Sequence, residues 1–237
     1  MKLWDKDMKS RIIIENRKIF VYGNPDADFW VIRPIDENYL NHIDLEIQEI
    51  NNLTGNLDFF FITIIISNWN NELSPWSAAS VFGKEEFGDG AEEMLSFITD
   101  ALIPALKDKY DGMNEKNCII AGYSLAGLFA LWSGFRTEIF SGIAAVSPSV
   151  WFPEFVEFTK KGDIKTRNVY LSLGDKEALA KNPVIRTVAE CINEEYRILT
   201  EKDVNCVLEW NQGNHFKNVE LRIAKGIAWV INNACKK

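Results

Sequence analysis

Apolar residues fall along this chain in two alternating rhythms. Short β-branched or aromatic runs occupy residues 12–14, 19–22, 29–35, 59–66, 118–123, 142–146, 169–173 and 204–210, and predict eight strands. Between them lie stretches with the three-and-four spacing of an amphipathic helix. Residues 36–52 carry Leu40, Ile43, Ile47 and Ile50 at that spacing, and residues 91–110 carry Met94, Leu95, Ile98, Leu102 and Leu106. Pro183, whose missing N–H costs nothing at a helix start, opens a third helix faced by Val184, Val188, Ile192 and Tyr196. A last helix over residues 218–234 presents Val219, Ile223, Ile227 and Val230.

The first three runs are separated only by turn-forming stretches such as Glu15-Asn16-Arg17 and Gly23-Asn24-Pro25-Asp26, which predicts antiparallel pairing among them. From the third onward helices intervene, and the strands read as near-continuous apolar runs. That combination predicts an α/β fold with a mainly parallel sheet covered by helices on both faces. With no internal repeat and no linker, residues 1–237 read as a single domain. The least regular stretch, residues 68–90, is aromatic and well punctuated, as functional loops of that length tend to be.

Composition narrows the possible chemistry. Of 237 residues 47% are hydrophobic, enough for a proper core and too many for a disordered chain. The net charge of -8 leaves no concentrated basic face for nucleic acid or an anionic membrane, so neither is expected as a partner. Cys118, Cys191, Cys206 and Cys235 stand far apart and are expected to be reduced thiols, neither zinc ligands nor a disulfide framework. The N-terminal stretch lacks the apolar core of a signal peptide, and no apolar run approaches the ~20 residues of a membrane span. A cytoplasmic protein is the expectation. His42 and His215 are the only imidazoles, so a histidine-rich metal site is hard to build and a histidine base has two candidates.

Residues 118–130, CIIAGYSLAGLFA, are a strand, a tight turn and a helix start. This is the pattern of a nucleophile elbow, in which Gly122 and Ala126 leave room for a strained Ser124 to project its hydroxyl. On a helix N-terminus, Ser124 also feels a field that favours developing negative charge. A serine hydroxyl needs a base, and in this chain order the base comes last. His215, in the turn-rich segment between the last strand and the last helix, has that position. His42 precedes the nucleophile in a helix and reads as a surface or structural histidine. The acid is expected after the seventh strand, where Asp175 and Glu177 both stand; Glu177 is preferred because it reaches further into the loop. The oxyanion donors expected are the backbone N–H groups of Leu125 and of Ile35, with Asp36 second to Ile35. Asn68, Trp69, Trp76 and Trp151, in loops after the strands flanking the elbow, are expected to line the substrate site. Only some twenty residues separate Pro148 from Asn168, so a large lid is not expected.

Four segments together, ISNWNNELSPW, AGYSLAGLFALW, VYLSLGDKEALAKNP and NQGNHFKNVELRIAKGIAWV, make the chain resemble the putative esterase (esterase D-like) family of α/β-hydrolases over most of its length. Relatives include S-formylglutathione hydrolases, feruloyl and acetyl xylan esterases and siderophore esterases, all cofactor-free serine hydrolases. The resemblance implies Ser124 as nucleophile, His215 as base and Glu177 as acid, on an eight-stranded α/β-hydrolase fold. Arg33-Pro34 stands where many relatives have Asp-Gly or His-Gly after the third strand. The expected activity is hydrolysis of small or medium acyl esters through an acyl-enzyme, with no cofactor. Its rivals are acyl transfer by the same residues and a non-catalytic binding protein of the same fold.

Overall fold

A computed structural model describes residues 9–81, 83–110 and 117–234. Among these residues eight strands form one sheet: β1 (Lys9–Ile14), β2 (Arg17–Gly23), β3 (Phe29–Ile35), β4 (Phe59–Ile65), β5 (Asn117–Tyr123), β6 (Phe140–Val146), β7 (Asn168–Gly174) and β8 (Asn205–Asn211), in the order β1-β2-β4-β3-β5-β6-β7-β8. Pairing is parallel from β4 through β3 to β8 and antiparallel at β1–β2 and β2–β4. The expectation that the first three strands pair together is therefore corrected. β2 does pair with β1, but β4 stands between β2 and β3. A tight turn fixes only the pair it joins, whereas Asn24–Asp28 lets the chain cross over and leave that neighbour position to a later strand.

Helices cover both faces, as expected. One face carries α1 (Ile43–Thr54) and α9 (Val219–Ala234), the other α3 (Ala91–Ser96), α4 (Ile103–Lys109), α5 (Leu125–Arg136) and α8 (Val188–Glu201). α2 (Trp69–Glu72), α6 (Phe155–Lys161) and α7 (Pro183–Arg186) are short pieces between them. Successive residues of a strand point to opposite faces, and here both faces are dry. Trp30 and Ile32 of β3 pack towards α5, while Phe29, Val31 and Ile35 pack towards α1 and α9. Every residue of β3 and β4 is buried, which is why these strands show no polar alternation. Each large apolar side chain so buried contributes about 2 kcal/mol.

The predicted helix over 91–110 is interrupted by a wide turn, Phe97–Leu102. Pro104 follows it: the ring removes a donor and crowds the preceding turn, and widening that turn relieves the clash. No helix among the described residues is long and apolar enough to cross a membrane. Cys118, Cys191 and Cys206 are free thiols; Cys235 lies outside the described residues.

Because β3 to β8 run in parallel, their carboxyl ends share one edge of the sheet. Tyr123 pairs with Val146, Val146 with Ser172, and Gly174 with Asn211. The segments that follow these strands, starting at Ser124, Ser147, Asp175 and Gln212, therefore stand side by side, where open α/β sheets form their ligand crevices.

Candidate active site

Ser124 joins β5 to α5 with φ 59° and ψ -123°, a region L-residues avoid. Closeness of strand and helix enforces it. A Cβ on Gly122 would lie 1.9 Å from the carbonyl oxygen of Ala126, so the turn admits only glycine there. The bent backbone is held on both sides: Ser124 N–H donates to Val146 O at 3.1 Å, and Ser124 O accepts from Leu128 N–H at 3.0 Å and Ser149 N–H at 3.1 Å. The hydroxyl is partly exposed at the start of the helix, where the first N–H groups, Leu125 among them, have no intrahelical acceptor. Its hydrogen-bond partner is Ser149 Oγ at 3.4 Å, and no hydrogen bond joins it to His215.

His215 Nδ1 lies 2.7 Å from Glu177 Oε2. Glu177 is buried, and its other oxygen accepts from Ser147 Oγ and from Gly174 N–H, both at 2.7 Å. Burial opposes its charge, but the hydrogen bond and charge of His215, together with those two donors, outweigh burial and hold the carboxyl below the usual carboxylate range. Asp175, two residues earlier, is exposed and accepts from Gly213 N–H at 2.7 Å. It ties the Glu177 loop to the His215 loop without touching either imidazole nitrogen. These loops approach so closely that a Cβ on Gly174 would lie 2.4 Å from Gly213 O. His42 lies elsewhere, 2.6 Å from Glu220 at the start of α9 and stacked on Tyr39.

Three groups around this pair carry no sequence motif. Tyr123 OH donates to the carbonyl oxygen of His215 at 2.6 Å. Ser147, at φ 44°, holds Glu177. Arg222 on α9, 1% exposed, donates from Nη1 to Glu177 Oε1 and Tyr123 OH, each at 3.2 Å. One sequence signal for Arg222 exists: it stands three residues after Val219 and beside Ile223, within the inward stripe of an amphipathic helix.

Ile35 closes β3 opposite Ile65, and its carbonyl accepts from Ile66 N–H at 2.9 Å. In extended backbone the N–H and C=O of one residue leave the same side of the strand. The amide of Ile35 thus faces β4, and that of Asp36 faces the β5 side, where Ser124 stands. Asp36 spends its carboxylate on capping the following 3₁₀ turn, through Asn38 N–H at 2.8 Å and Tyr39 N–H at 3.3 Å.

The four expected lining residues divide. Asn68 is exposed beyond β4 and caps α2 through Asn71 N–H at 3.1 Å, with Trp69 half-buried beside it. Trp151 packs on Phe87 in the segment beyond Ser149. Trp76 is committed to packing: its ring meets Phe152, Phe155 and Phe158, and its N–H donates to Pro153 O at 3.0 Å. Two exposed apolar side chains not expected here follow Glu177 and His215 closely in the chain. Leu179 is 76% exposed, and Phe216, 83% exposed, stands edge-on to the His215 ring. Among the described residues no group of three or more His, Cys, Asp or Glu side chains could hold a metal ion.

No curated protein matches the chain by sequence. Among solved structures, an IroE-like serine hydrolase from Shewanella oneidensis is similar with a TM-score of 0.77 and 17% identity over 93% of this chain and 79% of that one. The siderophore hydrolase EstA from Aspergillus nidulans gives 0.74 and 16% over 96% and 93%, and the enterobactin esterase FES from Shigella flexneri gives 0.74 and 13% over 99% and 62%. At such identities the likeness is one of fold. The family described as Putative esterase, in contrast, matches residues 62–217, well over half of the chain and a span from β4 to the loop of His215; the chain belongs to that family and is a carboxylic-ester hydrolase.

Proposed function

We propose that this esterase works through Ser124, His215 and Glu177, and that its substrates are small or medium acyl esters. Ser124 attacks the ester carbonyl while His215 takes its proton and then returns it to the departing alcohol. Water, deprotonated by the same imidazole, cleaves the acyl-enzyme and releases the acid. Glu177 keeps the Nδ1–H tautomer and offsets the charge that the imidazole gains. The observation that carries this reading is the 2.7 Å Glu177–His215 contact, beside a serine in a strained turn at a helix start. The Ser124–His215 hydrogen bond forms with substrate, when the hydroxyl leaves Ser149; such contacts are often long in the free enzyme.

For the oxyanion we assign Leu125 N–H as one donor and Asp36 N–H, in preference to Ile35, as the other, since only the amide of Asp36 faces the elbow side of β3. Phe216 and Leu179 offer the ester an apolar rim, and the short α6 leaves no large lid over it. We further propose a single domain over residues 1–237 that needs no cofactor and acts in the cytoplasm, a location that the free thiols of Cys118, Cys191 and Cys206 fit. The test is hydrolysis of a short-chain p-nitrophenyl ester, with Ser124→Ala as control. Loss of the activity in the variant is expected, and equal rates for variant and parent would overturn the mechanism.

A further inference from the structure

We propose that Arg222 is a positioning residue for this reaction: one guanidinium holds the Glu177 loop, the His215 loop and the strand leading to Ser124 in register. The inference rests on the triad reading above. Arg222 Nη1 donates to Glu177 Oε1 and Tyr123 OH at 3.2 Å and lies 3.5 Å from Ser147 Oγ, and Nη2 donates to Gln212 O at 3.2 Å. Those four partners belong to β5 and to the segments after β6, β7 and β8. Four neighbouring pieces of the sheet edge are thus bonded to one side chain. Tyr123 extends the clamp, since the hydroxyl that accepts from Arg222 donates to the His215 carbonyl at 2.6 Å.

A purely structural account explains this poorly. Burying a guanidinium is costly, and an apolar side chain of similar volume commonly stabilises a core as well or better. The inward neighbours of Arg222 on α9, Ile223, Ile227 and Val230, are apolar. What arginine supplies is geometry: a planar fork whose donors diverge in fixed directions, which the point charge of lysine cannot imitate. The charge acts too. The charged and titratable groups facing His215 are Glu177 from the β7 loop, Tyr123 from β5 and, behind them, Arg222 from α9; Asp175 is engaged by Gly213 N–H. A fixed cation beside Glu177 offsets the negative charge of the buried carboxylate, which lysine can still do and methionine cannot.

The experiment compares Arg222→Lys and Arg222→Met with the parent and with Ser124→Ala. Active sites are counted by exhaustive fluorophosphonate labelling, and kcat and KM per labelled site are measured across pH. For Arg222→Lys, kcat should fall about tenfold or more with KM and the acidic limb of kcat/KM unchanged, because a small misplacement of the base is enough. For Arg222→Met, which loses both the fork and the charge, the fall should be larger. A residue that only stabilised the fold would reduce the labelled fraction and the Tm without changing kcat per labelled site, and that result overturns the proposal. Should Arg222→Met not fold, Arg222→Lys decides alone: parental kcat per labelled site overturns it. Residual activity in Ser124→Ala would defeat the triad reading itself, whereas a silent Ser124→Ala with an unaltered Arg222→Lys defeats only this inference.

Discussion

Asp175 and Glu177 stand two residues apart in one loop and have different partners, so their substitutions should separate. Glu177→Gln keeps the volume but not the charge that fixes the imidazole tautomer, and should lower kcat on the order of a thousandfold, measured with saturating ester. Asp175→Asn should cost far less activity and act mainly through a lower Tm, since its acceptor role towards Gly213 N–H survives in part. Likewise His215→Ala should abolish hydrolysis, while His42→Ala, which removes an imidazole paired with Glu220 on α9, should leave it intact. Because the Glu177 carboxyl titrates below its unfolded value, its contribution to stability is present above that value and lost as pH falls through the lower one. Phe216→Ala should raise KM for longer or aromatic acyl groups with little change in kcat. Ser124, His215 and Glu177 could be singled out in the sequence because elbow pattern, chain order and side-chain reach are local properties. Tyr123, Ser147 and Arg222 could not, because each acts through partners on other strands. The proposed preference for Asp36 over Ile35 could not be read from the sequence for a related reason: which side of β3 an amide faces depends on strand pairing, not on position in the loop.

Elements were easier to read than residues, and their breaks harder. All eight strands were legible as apolar runs, β3 to β7 because a strand buried on both faces tolerates little else, and the more exposed β1 and β8 through their β-branched residues. Their neighbours were not legible, because pairing is non-local. α6 escaped notice: it has seven residues and starts from Glu154 in a left-handed conformation, φ 64°. Its docking on α8 contains a buried carboxyl. Glu195 accepts from Thr159 at 2.9 Å while its other oxygen has no partner, and burial pushes its pKa up to about 8. The folded value exceeds the unfolded one, so this stability is full below about pH 4.5 and drains away as pH rises towards 8. Thermal unfolding of Glu195→Gln should therefore show a flatter decline between pH 5 and 8 than the parent. At the elbow, Gly122→Ala would drive a methyl into the Ala126 carbonyl and should destabilise the protein by about 3 kcal/mol, read from denaturant unfolding.

For the whole molecule, the sheet divides into a fully covered centre and a looser margin. β3 and β4 are buried throughout and β5, β6 and β7 almost throughout, whereas β1 alternates between exposed and half-buried residues and has a neighbour on one side only. Amide hydrogen exchange should accordingly be slowest in β3–β7 and fastest in β1. The insertion of β4 between β2 and β3 also has a consequence in time. A two-stranded hairpin is at best marginally stable alone, so β1 and β2, although made first, have no lasting place to dock until residues 59–65 have emerged and paired with β3. During synthesis the earliest part of the chain thus waits for a later one, and the apolar residues of β2 stay within reach of chaperones for that interval.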